Sequence, residues 1–115
     1  MRRGALRKLG DGSLRILPFE EIDRKVKAGE YQFHQFGPCF VITQISDYSN
    51  ERLLEVVLLF GDGFLERREE VTKHLVEFGR KHDCKAIEAI SRLGLEPVMK
   101  PFGWRRKRVL LRREI

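Results

Sequence analysis

The chain has 115 residues, 23 Lys and Arg against 17 Asp and Glu, and a formal net charge of +6. That length suits one domain with a single core, and 42% hydrophobic residues with 10% aromatics argue against general disorder. No apolar run approaches the ~20 residues that cross a bilayer, and no apolar stretch follows the basic N-terminus, so neither a membrane anchor nor a signal peptide is expected.

The positive charge sits at the two ends. Residues 1–15 carry a net +4 and residues 104–115 a net +5, while residues 16–103 carry −3. Residues 1–13, rich in Arg, Lys and Gly, read as a basic arm or loose first strand, and residues 14–115 as the domain. Leu14 to Leu17 fits a short strand. Pro18 then opens a helix, with Glu20, Glu21 and Asp23 favouring its positive N-terminus and Gly29 available to stop it. Phe19, Ile22 and Val26 share one face of that helix.

Tyr31 to Phe36 is a plausible strand, cut by Gly37-Pro38. Cys39 to Ile45 is β-branched and aromatic, a second strand, and the Asp47-Tyr48-Ser49-Asn50 cluster is a turn. Leu53 to Phe60 is almost wholly apolar, as expected of a central strand buried on both faces. Gly61-Asp62-Gly63 follows, with Asp62 a candidate helix cap. A helix over 65–82 comes next, its apolar positions Phe64, Val71, Leu75 and Phe78 at helical spacing. Cys84 to Ser91 returns as a strand, which makes residues 53–90 a parallel, right-handed β-α-β unit. Pro97 breaks into a short helix, Phe102-Gly103-Trp104 forms a turn, and a basic strand closes the chain. The expected class is therefore α/β, a single mixed sheet with flanking helices.

Cys39 and Cys84 lie in apolar runs without CxxC or Cys/His spacing, as buried reduced thiols would. His34, His74 and His82 share no metal-ligand spacing, and no metal site is expected. Glu55 interrupts an apolar strand, where an isolated carboxylate is costly; it is the candidate general base, with a salt-bridged structural Glu as the bland alternative. Glu88 poses the same question on the returning strand, with Arg92 near enough to pair with it. Arg105, Arg106, Lys107 and Arg108 fit a solubilising edge strand, an acidic partner, or nucleic-acid phosphates.

The order of elements, together with Arg92-Leu93-Gly94-Leu95 and Lys100-Pro101-Phe102-Gly103-Trp104, resembles the GNAT N-acetyltransferase superfamily over about residues 14–114. Within it, the ending is similar to small GNAT-like proteins of phages and prophages. The resemblance implies acetyl-CoA as cofactor and direct attack of an amine on its thioester. It also implies a pyrophosphate site on backbone N–H groups ahead of the long helix, here Gly61, Gly63, Phe64 and Leu65, with Arg67 and Arg68 one turn on. The pantetheine arm would enter where the two parallel strands splay apart. The family's loop has a leading Arg or Gln that this chain lacks, and Asp62 adds a negative charge. Met99 falls where the family's proton-donating Tyr is expected. The resemblance and the basic ends together leave three readings. The first is a catalytically degenerate GNAT-like protein with an assembly or host-interaction role, its partner a virion or host component, located in the bacterial cytoplasm or the virion. The second is an active acyl-CoA N-acetyltransferase, and the third a nucleic-acid-binding module using the basic termini.

Overall fold

The computed structural model describes residues 19–90, 95–107 and 111–115. Helix α1 (Phe19–Lys27) carries Glu20 and Glu21 in its first turn and Arg24, Lys25 and Lys27 in its last, complementing the helix dipole at both ends. Ion pairs Lys25–Glu21 (3.7 Å) and Lys27–Asp23 (3.0 Å) link successive turns, each adding a few tenths of a kcal/mol at most. Burial dominates: Ile22 is 2% exposed, which contributes roughly 1.5–3 kcal/mol. Gly29, at φ +80°, ends the helix as its sequence position suggests.

Four strands follow in the spatial order β1-β2-β3-β4. β1 (Tyr31–Phe36) and β2 (Cys39–Asp47) form a hairpin, and β3 (Arg52–Gly61) continues the antiparallel meander. Helix α2 (Phe64–Lys81) crosses over to β4 (Ala86–Ala89), which pairs parallel with β3. The β-α-β unit expected from the sequence is therefore present, with a shorter last strand. A short helix α3 (Glu96–Met99) runs into a single 3₁₀ turn, Lys100–Phe102. Residues 104–107 and 111–115 adopt no regular structure, so the closing basic strand is not seen in the described parts of that segment. The expected arm at 1–13, the strand at Leu14 to Leu17, and Arg92 lie outside the described residues.

Side-chain alternation gives the sheet two apolar faces. One packs Tyr31, Ile42, Leu58 and Phe60 against Ile22 of α1. The other packs Phe36, Cys39, Val41 and Leu54 against Val71 and Leu75 of α2. Phe64 and Phe78 are half-buried against this second cluster, so all four apolar positions expected on α2 reach it. Both cysteines are free; Cys39 is fully buried and Cys84 half-buried.

Candidate functional site

Among the described residues, the pairing of the two parallel strands stops part-way along β3. Pairing runs from Leu53↔Ala86 to Val56↔Ala89, whereas β3 continues to Gly61. The register with β2 also shifts at this point: Thr43 pairs with Val56 and Ile42 with Leu58, leaving Val57 as an extra residue. A bulge of this kind increases local twist and disrupts the ladder. Its effect here is a change of face. Leu54 and Val56 point towards α2, Val57 and Leu58 both join the opposite cluster, and Leu59 returns to the α2 side. Among the described residues, β3 has no partner on its β4 side from Val57 to Gly61.

Glu55 stands just before the bulge, and its carboxylate is not isolated. The Ser46 hydroxyl donates to Oε1, and the Tyr48 phenol donates to Oε2 at 3.0 Å. The β2–β3 turn is held so that Tyr48 can reach back: its own N–H donates to the Glu51 carbonyl at 2.8 Å, and Arg52 pairs with Asp47 at 2.6 Å. Tyr48 remains 52% exposed. Its phenol titrates above the usual range because it donates to Glu55, with the Glu55 charge reinforcing the shift and Glu88 adding to it. Glu88 is directly opposite Glu55 in the parallel register, so the two carboxylates share a face of the sheet. Sequence reasoning singled out Glu55 but not Tyr48. The turn residues Asp47 to Asn50 carried a folding signal, and nothing in their spacing marked a phenol folded back onto the strand.

At the far end of β3, Gly61 (φ +102°) and Gly63 (φ +82°) are both left-handed. A Cβ at Gly61 would fall 2.0 Å from the Pro38 carbonyl oxygen, so the backbone there must be bare. Gly63, not Asp62, occupies the N-cap of α2, and no side chain caps the helix. The expected Asp62 cap is therefore not made, because Gly63 intervenes; Asp62 is exposed instead. Phe64 is half-buried and Leu65 is 47% exposed at the helix start.

The two arginines one turn into α2 have contacts of their own. Arg67 Nε–H donates to the Phe36 carbonyl at 3.1 Å, with its guanidinium packed beneath Gly37. Arg68 donates to the Leu65 carbonyl and lies 5.2 Å from the centre of the Phe102 ring. One residue turn further on, the Trp104 indole N–H donates to the Thr72 hydroxyl at 3.0 Å. Arg68 and Thr72, four apart on α2, thus hold the Phe102-Gly103-Trp104 turn. Gly103 closes the 3₁₀ turn at φ +92°. Between that turn, α2 and the start of β4 lies a cleft of about 330 Å³, lined partly by Val76, Ile87 and Trp104. Met99 is buried at 9% exposure, and its thioether cannot donate a proton. In the basic tail, Arg105, Arg106 and Lys107 are exposed, and Arg106 pairs with Glu96 at 2.7 Å; Arg108 lies outside the described residues.

Two of the histidines, His34 and His74, are hydrogen-bonded to each other. His34 is only 7% exposed. The Thr43 hydroxyl gives its one proton to Gln32 Oε1, so it accepts from His34 Nε2–H at 2.9 Å. His34 Nδ1 then accepts from His74 Nε2–H at 3.0 Å. Burial, followed by the neighbouring His74, lowers the His34 pKa to about 4. The residues lie 40 apart in sequence, and only the β1–α2 packing unites them. Among the described residues, no group of three or more His, Cys, Asp or Glu side chains could hold a metal ion. No helix there is long and apolar enough to cross a membrane.

No protein-family model matches the sequence, and no curated protein matches it either. Solved structures do match in shape. An acetyltransferase from Trypanosoma brucei superposes with a TM-score of 0.70 at 12% identity, covering 100% of this chain and 96% of the other. Glucosamine-6-phosphate N-acetyltransferase from Arabidopsis thaliana gives 0.68 at 9% identity, covering 99% and 94%. A possible acetyltransferase from Clostridium difficile gives 0.55 at 12% identity, covering 100% and 94%. The chain has a GNAT-like fold, a single α/β domain whose mixed sheet is flanked by helices, as in these structures.

Proposed function

We propose that this chain binds an acyl-CoA where β3 and β4 separate, and transfers the acyl group to an amine. The observation that carries this reading is the end of β3–β4 pairing at Val56↔Ala89, beside the Val57 bulge and the hydroxyl-bound carboxylate of Glu55. An opening between parallel strands exposes main-chain groups that an extended, amide-containing arm can satisfy, as any unpaired strand edge can. Gly63, Phe64 and Leu65 open α2 with no side-chain cap, a favourable place for phosphate, and Gly61 leads the chain into that turn. Glu55 is the base that takes the proton from the attacking amine. Arg67 and Arg68 act there mainly by fixing the surrounding turns, since each already holds a carbonyl.

Calorimetric titration with acetyl-CoA tests the reading. Saturable binding is expected, and Asp62→Lys should tighten it about three- to ten-fold by replacing a repelling charge with an attracting one. An affinity unchanged by Asp62→Lys would move the phosphates elsewhere, and no binding at millimolar ligand would remove the proposal.

A second reading has its own observation. Buried Met99 stands where the resemblance expects a proton-donating tyrosine, which favours a non-catalytic GNAT-like protein of phage type acting through a virion or host partner. That protein would retain a specific partner in pull-downs from virions or host lysate, and would release no CoA from acetyl-CoA.

A further inference from the structure

We propose that Tyr48 is the proton donor to the departing thiolate, working as a relay with Glu55; this rests on the acyl-transfer reading above. Acyl transfer from a thioester to an amine moves one proton, net, from nitrogen to sulfur. A base alone completes only half of that transfer, and buried Met99 supplies no acid. The phenol of Tyr48 is 3.0 Å from Glu55 Oε2, on a side chain that is 52% exposed and so open to a substrate.

The steps balance as follows. The neutral amine adds to the thioester carbonyl, forming the C–N bond and leaving a proton in excess on nitrogen. Glu55 takes that proton and becomes a neutral carboxylic acid. As the tetrahedral adduct collapses, the C–S bond breaks and the electron pair leaves on sulfur. Protonated Glu55 now donates to the Tyr48 oxygen, reversing the hydrogen bond, and the phenolic proton passes to the thiolate. Products are the amide and free CoA thiol, with Tyr48 and Glu55 restored.

The electrostatics favour this order of events. The Tyr48 phenol is a weaker acid than usual chiefly because of Glu55: the hydrogen bond it donates there and the carboxylate charge. Once Glu55 has accepted the amine proton, that charge is gone, and Tyr48 regains acidity at the step that needs it. Ser46 is a positioning residue, since its hydroxyl on Oε1 fixes the carboxylate plane that presents Oε2 to Tyr48. The Asp47–Arg52 pair and the Tyr48 N–H to Glu51 bond fix the turn from the other side.

Tyr48→Phe removes only the hydroxyl and tests the relay. CoA release from acetyl-CoA would be followed with butylamine, spermidine and a lysine peptide as acceptors, alongside turnover of p-nitrothiophenyl acetate, whose thiolate leaves without a proton. For Tyr48→Phe we expect kcat with acetyl-CoA to fall at least about ten-fold, acetyl-CoA affinity to stay unchanged, and turnover of the activated thioester to persist. Glu55→Gln should lose activity on both thioesters. Ser46→Ala should reduce kcat and move the rising, acidic limb of the profile to higher pH, with Ser46→Thr restoring both. Equal loss on both thioesters in Tyr48→Phe, or no loss on either, overturns the relay while leaving acyl transfer standing. If wild-type protein binds acetyl-CoA but releases no thiol with any acceptor, the relay falls; if it does not bind, the acyl-transfer reading falls with it.

Discussion

At Gly61 the chain leaves β3 with φ at +102°, and a Cβ in that position would meet the Pro38 carbonyl oxygen at 2.0 Å. Gly61→Ala therefore incurs backbone strain and a contact that only backbone movement can relieve. A loss of at least about 2 kcal/mol is expected in denaturant unfolding, with the slope m unchanged. The His34 ring gives a second prediction at this scale. Its folded pKa of about 4 lies below the ordinary histidine value near 6.5. Between those values the unfolded chain binds the proton more readily, so stability falls as pH drops through that window and levels off below it. The loss amounts to about 3 kcal/mol. Thr43→Val should destabilise the protein by about 1–3 kcal/mol at neutral pH, because His34 Nε2–H is left buried without its acceptor. Urea midpoints across pH for both proteins check these values, and a flat wild-type profile between pH 6.5 and 4 would contradict the His34 account.

Helix α2 organises its surroundings through residues at i and i+4. Arg68 covers Phe102 and Thr72 accepts from the Trp104 indole, so the turn after α3 is fixed to the helix by two side chains. Trp104→Phe keeps the ring but deletes the N–H; it should cost about 1 kcal/mol and raise amide exchange first in Lys100–Phe102. Much at this scale was legible in the sequence. The apolar run Leu53 to Phe60 marked β3, and Phe64, Val71, Leu75 and Phe78 gave the buried stripe of α2, because periodicity records burial directly. Other features were not legible. The Val57 bulge lies inside a continuous apolar run, where one extra residue leaves no trace in the pattern. Tyr48 looked like one residue of a polar turn, and His34 with His74 acquires meaning only when β1 packs against α2. The Asp62 cap failed for a similar reason: a residue type suited to capping was present, but the left-handed Gly63 took the position.

For the whole molecule, two cores on opposite faces of one sheet stabilise β3 from both sides, while among the described residues its β4 edge has no partner beyond Val56. Rigid surroundings and an unsatisfied edge are the two properties a preorganised binding slot needs. Glu55 and Tyr48 stand before the bulge and the glycine turn lies at the other end of the open edge, so one extended ligand would touch both. The sharpest test is an NMR titration of ¹⁵N-labelled protein with acetyl-CoA, followed at each backbone amide. Saturable shifts are expected, concentrated in Val57 to Leu65 and Ala86 to Ala89, with smaller changes at Tyr48. Shifts confined to the basic ends, or no shifts at millimolar ligand, would contradict it.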